Sequence, residues 1–142
     1  FGDGATGSGS ATSHTYATPG AYNARLTVTD NQGASAHTTV TISVNANLPV
    51  APSNLAATAV SATQINLAWT DNAANETGFK IERCAGSTCT SFAQIATVGA
   101  NVNSYANAGL KRNTTFRYRV RAYNASGNSG YSNTASATTP RK

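Results

Sequence analysis

Apolar and polar side chains alternate along this chain with a period of two, in short runs separated by turn residues, and no window sustains the 3.6-residue period of an amphipathic helix. Alternation puts successive side chains on opposite faces of an extended strand, so the chain is expected to be all-β. In the first segment Tyr22, Ala24, Leu26 and Val28 point one way, and Asn23, Arg25, Thr27 and Thr29 the other. Asp30-Asn31-Gln32-Gly33 then turns the chain, and Val40, Ile42 and Val44 mark the returning strand. Further runs follow at Leu55 and Ala57, at Ile65, Leu67 and Trp69, at Phe79 and Ile81, and at Phe92, Ile95 and Val98. Phe116, Tyr118, Val120 and Ala122 form another, and the last comes after Tyr131. With a short strand near Tyr105 this makes seven, the number expected of a Greek-key β-sandwich. Trp69, Phe79 and Tyr118 alternate into its core.

Pro49 and Pro52 bracket Val50-Ala51 in a stretch that reads as a short, semi-rigid linker. The expected organisation is a first domain at residues 1–45, a linker at 46–52 and a second domain at 53–140. About 90 residues suffice for a sandwich to fold alone. The chain starts at Phe1-Gly2-Asp3-Gly4 and contains no methionine, so it is expected to be a piece of a longer polypeptide that starts inside a domain.

Charged residues make up 11% of the chain and the net charge is +5, but the basic residues are mostly scattered. Without a concentrated basic run, nucleic acid is not an expected partner. No stretch approaches the roughly 18 consecutive apolar residues of a membrane span. Cys84 and Cys89 flank the turn-forming Ala85-Gly86-Ser87-Thr88, and a hairpin-tip disulfide is the simplest reading. If formed, it places the protein in an oxidising compartment, periplasmic or extracellular, and extracellular is the expected location. A redox pair would want two intervening residues at a helix N-terminus, and four stand here without a helix.

The run Leu67-Ala68-Trp69-Thr70, the segment from Thr114 to Asn124 that reads TTFRYRVRAYN, and the ending Tyr131-Ser132-Asn133 to Thr139-Pro140 resemble a fibronectin type III domain of the bacterial, secreted-enzyme variety. The resemblance covers about residues 50–140 and implies an immunoglobulin-like Greek-key β-sandwich. That family usually places a tyrosine where Phe116 stands, its hydroxyl tying the strand back to the preceding loop near Leu110. Phe116 cannot make that bond, so the corner is expected to be held by packing or by Asn113 and Thr114. The first segment, through Phe1-Gly2-Asp3-Gly4, His14-Thr15-Tyr16, Pro19-Gly20 and Leu26-Thr27-Val28-Thr29-Asp30, resembles the second half of a polycystic-kidney-disease (PKD) domain. Half a sandwich leaves open sheet edges and an uncovered apolar face. Strands of the same protein outside this sequence, or strands added by another chain, would complete it.

Three groups of residues are candidates for a site. Arg117, Arg119 and Arg121 alternate on one strand and share a solvent face, a basic stripe that suits a sulfated or acidic polymer; Lys80 and Glu82 are expected outward on the neighbouring strand. The bland reading, long side chains covering apolar surface, is the leading one. Tyr123, Tyr131 and Tyr105 are exposed-aromatic candidates for stacking on sugar rings or touching a protein polymer. Asp71, Asn72, Asn75 and Glu76 crowd one loop; Asp71, Asn75 and Glu76 are calcium candidates, although the spacing matches no EF-hand and such clusters usually only make turns. Asp3, His14 and a serine invite a hydrolase triad, yet no G-x-S-x-G elbow is present, and the set is expected to form a turn instead.

No catalytic residue and no cofactor follow from these readings. The resemblance implies a non-catalytic accessory or spacer module of a secreted bacterial hydrolase, a peptidase or polysaccharidase, holding it on a polymeric substrate. Its partners would be other domains of the parent protein and a polysaccharide or fibrous protein. The alternative is a subunit of an extracellular filament, adhesin or surface layer that self-assembles by strand addition.

Overall fold

A computed structural model describes all residues from Phe1 to Lys142, and the chain divides into two compact units, Phe1–Asn47 and Leu48–Lys142. The division falls inside the 46–52 stretch, and Pro49 and Pro52 beyond it are buried.

The first unit is built on one antiparallel hairpin, β1 (Gly20–Thr29) and β2 (Ser35–Val44). Asp30 shapes its turn: the carboxylate accepts hydrogen bonds from the amides of Gln32 at 2.9 Å and Ala34 at 2.8 Å. Gly33 takes the left-handed φ of 89° that this turn needs. The register sets Ala24 opposite Val40 and Tyr22 opposite Ile42, on one face as the alternation requires. That face stays open toward the hairpin tip, where Leu26, Val28 and Val40 are each about 60% exposed. At its other end an aromatic stack covers it: Phe1 lies on His14 at 4.4 Å, His14 meets Tyr16 edge-on at 4.7 Å, and Tyr16 stacks on Tyr22 at 4.2 Å.

The second unit is a sandwich of two antiparallel sheets. One holds β3 (Ser53–Ser61), β4 (Gln64–Thr70) and β7 (Ser104–Asn107) in the order β3-β4-β7. The other holds β5 (Gly78–Ala85), β6 (Ala93–Gly99), β8 (Thr115–Asn124) and β10 (Ala135–Thr138) in the order β10-β8-β5-β6, with the two-residue β9 (Gly127–Asn128) paired to β8. Buried and part-buried residues alternate along β8 from Thr115 to Tyr123, which is the period-two pattern made physical. Inward-facing residues of both sheets form one core: Leu55, Ile65, Leu67, Trp69, Phe79, Ile81, Leu110, Phe116, Tyr118, Val120 and Ala122. Trp69 and Phe79 meet across it with ring centroids 5.6 Å apart. Tyr118 is fully buried, and burial pushes its hydroxyl up to about 12.

The corner that a tyrosine would tie is held by Thr139 from the end of the chain. Its fully buried hydroxyl donates to the Lys111 carbonyl at 2.7 Å and accepts from the Thr114 amide at 3.1 Å. Thr114 contributes through a hydroxyl bond to the Arg112 carbonyl at 2.9 Å, and the Asn113 amide reaches the Pro140 carbonyl at 3.3 Å. A threonine on a neighbouring segment thus bonds the loop that Phe116 cannot.

Candidate functional site

The outer face of the larger sheet brings together Lys80, Glu82, Arg117, Arg119 and Arg121. Strand β8 turns Phe116, Tyr118, Val120 and Ala122 inward, so Arg117, Arg119, Arg121 and Tyr123 emerge on the other side. The register of β5 against β8 places Cys84 opposite Arg117, Glu82 opposite Arg119 and Lys80 opposite Arg121. These residues share one surface.

Two aromatic rings are interleaved with the three guanidinium groups. The Phe92 ring lies 5.9 Å from the Arg117 guanidinium and 4.4 Å from that of Arg119. The Tyr131 ring lies 3.7 Å from Arg119 and 4.9 Å from Arg121. The contacts run Arg117, Phe92, Arg119, Tyr131, Arg121, a ladder of cations against ring faces. Glu82 anchors it from below, only 5% exposed. Its Oε2 accepts from Arg119 Nε at 2.8 Å and lies 2.6 Å from Arg119 Nη2; its Oε1 accepts from the Tyr131 hydroxyl at 2.9 Å and lies 3.3 Å from Arg121 Nη2. Arg117 donates to the Cys89 carbonyl at 2.5 Å. Beside the ladder, Lys80 Nζ sits 5.0 Å over the Tyr123 ring and donates to Asn128 Oδ1 at 2.9 Å.

Burial pushes the Glu82 carboxyl up, but the bonds from Arg119 and Tyr131 and the charges of Arg119 and Arg121 outweigh it and leave it below its ordinary value of 4.5. Burial and the bond to Glu82 push the Tyr131 hydroxyl up. A carboxyl depressed in the folded state stabilises above its ordinary value, and that contribution is lost as pH falls through the folded value. Glu82→Gln is therefore expected to cost about 2 kcal/mol at neutral pH, discounted from a fully buried pair because the arginines reach solvent. The loss should shrink below pH 4.5. Urea unfolding of both proteins at pH 7 and pH 3 measures this, and an equal difference at the two values refutes the anchoring role.

The disulfide links Cys84 to Cys89 with their Cα atoms 6.1 Å apart, and the loop it closes begins at Gly86 with φ 112°. Cys89 then offers its carbonyl to Arg117, and Phe92 follows three residues on. Cys84→Ser with Cys89→Ser should lower stability by about 2 kcal/mol. Hydrogen exchange should speed up at the 86–92 amides first, and uniform protection there would show that the bond does not hold this loop.

The remaining candidates stand elsewhere. Tyr105 faces inward opposite Leu67 and packs on the core, which corrects the expectation of an exposed ring: its strand partners an inward position. Asp71 Oδ1 caps the Ala73 amide at 3.0 Å, Glu76 Oε1 accepts from the Asn101 amide at 3.1 Å, and Asn72 Nδ2 bonds the Ala51 carbonyl at 2.9 Å. The Asn75 carbonyl accepts from Asn124 at 3.2 Å. These groups are spent on turns and loop bridges, and no cluster of three His, Cys, Asp or Glu residues gathers there. Asp3 meets His14 at 2.6 Å and caps the Ala5 amide at 3.1 Å, an arrangement of turn chemistry.

The sequence reads Phe92 only as part of a strand run with Ile95 and Val98, which does not show its place in the ladder. The register between β5 and β6 shifts between Ile81 and Glu82, where Ile81 faces Ala96 and Glu82 faces Gln94, so Ile95 is skipped. The bulge re-aims the strand entrance and leaves Phe92 on the outer surface. Arg83 was missed too: it donates to Asn107 Oδ1 at 2.9 Å, beside the Tyr118 hydroxyl on the same oxygen at 3.0 Å, with its guanidinium 5.1 Å over Phe116. An arginine at an inward position of a strand carries no local signal.

Residues 1–45 match the PKD domain family and residues 50–138 the fibronectin type III domain family. An alpha-amylase of Niallia circulans is 41% identical over 97 residues, which is 65% of this chain and 7% of that protein's length. Domains A168–A170 of titin superpose with a TM-score of 0.59 at 26% identity, over 86% of this chain and 41% of that one. The crystal structure of FN3tt superposes at 0.58 and 23% identity, over 68% of this chain and 99% of that one. Neither domain family is catalytic. The chain belongs to the fibronectin type III family through residues 50–138, with a PKD domain before it.

Proposed function

We propose that this chain is a non-catalytic accessory module of a secreted bacterial polysaccharide hydrolase, holding the catalytic domain at a polymeric substrate. The observation that carries this reading is the 41% identity to a stretch that makes up 7% of an alpha-amylase, a small part of a much larger carbohydrate-degrading protein. The Cys84–Cys89 disulfide agrees with an extracellular location. Tethering works by effective concentration: a linked module that stays on the polymer returns the enzyme to it without touching the transition state.

The test compares a parent hydrolase with and without residues 1–142. Activity on soluble substrate is expected to be unchanged, and activity on insoluble polymer to fall several-fold. Equal activity of both forms on insoluble polymer refutes tethering.

A second reading, a structural subunit of an extracellular assembly, draws on the open apolar face at Leu26, Val28 and Val40 and on the free edges of a two-stranded sheet. A neighbouring chain adding strands there would build a filament. Sedimentation across a concentration range separates the two, since a tether stays monomeric and strand donation yields ordered polymers.

A further inference from the structure

The geometry points to a carboxylate-binding track for a linear acidic polysaccharide along the outer face of β8 and β5, an inference that rests on the reading of the chain as a polymer-holding module. Lys80, Arg117, Arg119 and Arg121 stand on this face, and Glu82 is the one acid among them. Alternate residues of a strand lie about 7 Å apart, so the guanidinium groups form a row suited to a polymer with regularly spaced anions.

Three features separate this row from scattered surface charge. First, the arginines are held before any ligand arrives. Phe92 and Tyr131 lie against their flat faces, Glu82 ties Arg119 and Arg121, and the Cys89 carbonyl ties Arg117. Side chains already immobilised lose little entropy on binding. Second, the face already recognises one carboxylate, because Glu82 is gripped by two guanidinium groups and a tyrosine hydroxyl. A guanidinium has five donors in a planar fork that matches a carboxylate, and Arg117 spends only one of them on Cys89. Third, the rings are in use. Tyr131 contacts Arg119 and Arg121, and Phe92 contacts Arg117 and Arg119, so both rings already hold guanidinium groups. The edges of those guanidinium groups are the part of the ladder that selects charge.

The probe is polygalacturonate, with its fully methyl-esterified form, insoluble starch and single-stranded DNA of matched charge as the other arms, each against the whole chain. Binding to polygalacturonate is expected at low salt, falling as salt rises, and is expected to vanish on esterification. Arg117→Gln with Arg121→Gln should weaken it about tenfold or more, and the corresponding pair of lysines should recover only part of that loss. These two sites leave the central Arg119 and its anchor in place. Should the double variant fail to fold, Gln94→Glu with Ser136→Glu adds carboxylates at exposed positions facing Glu82 and Arg117 in the register, and should weaken binding comparably.

Equal binding of the esterified polymer, equal or tighter binding of the DNA, or unchanged affinity in a folded charge variant overturns the track. Retention on starch without binding to polygalacturonate overturns it too, while leaving the tethering reading intact.

Discussion

Phe79→Ala is expected to destabilise the Leu48–Lys142 unit by about 3–5 kcal/mol, a large part of the 5–15 kcal/mol that holds a domain of this size. The ring is fully buried, and its cross-strand partners are small: Ala122 on one side and Val98 on the other, with Trp69 facing it from the opposite sheet. Neighbours this short leave the phenyl group to fill the space between the sheets, and they cannot reach into the cavity that its removal leaves. Trp69 is the only tryptophan of the chain, so its fluorescence reports urea unfolding of this unit directly. A loss under about 1 kcal/mol would mean that the ring does not bridge the two sheets.

Gly78→Ala is expected to cost about 3 kcal/mol for a different reason. A Cβ at this position would stand 2.1 Å from the Val98 carbonyl oxygen and 3.2 Å from Cε1 of Tyr123. The first of these atoms belongs to the backbone of the adjacent strand, so the entrance of β5 would have to separate from β6 to make room. Gly99, its register partner, has nothing within 4 Å of the same added atom and serves as the control. Gly99→Ala should stay within about 0.5 kcal/mol of the parent. Equal midpoints for the two alanine variants in urea would show that the close approach at Gly78 does not exist.

The strands were legible because alternation is local. Ile65-Asn66-Leu67-Ala68-Trp69 announces its own two faces, and the structure buries its odd-numbered residues while exposing Asn66 and Ala68. The Asp30–Gly33 turn and the Cys84–Cys89 pair were legible for the same reason, since each is decided within a few residues. Basic side chains at Arg117, Arg119 and Arg121 could be placed on one surface by counting. Their state could not be read that way. Whether an arginine waves in solvent or is fixed between rings depends on Phe92 and Tyr131, which lie on other segments.

Glu82 shows the limit most plainly. Its outward direction follows from alternation in β5, yet it is nearly as buried as the core, because the ladder closes over it. Thr139 is similar: nothing beside it in the chain marks a threonine whose hydroxyl ties a corner some 25 residues earlier. Tyr105 differs from expectation because a residue's face on a short strand is set by register with its partner.

By itself, the order of residues decided that this protein is β-structure in two parts, where its strands and turns fall, and which side chains of the long strands enter the core, since each of these depends on groups close together along the backbone. Pairing between distant segments decided the rest: the bulge that turns Phe92 outward, the ring and carboxylate that immobilise the arginines, and the threonine that closes the corner. The physical reason is distance. Such contacts join residues on different segments of the chain, so their geometry arises only when the strands pair and the faces close.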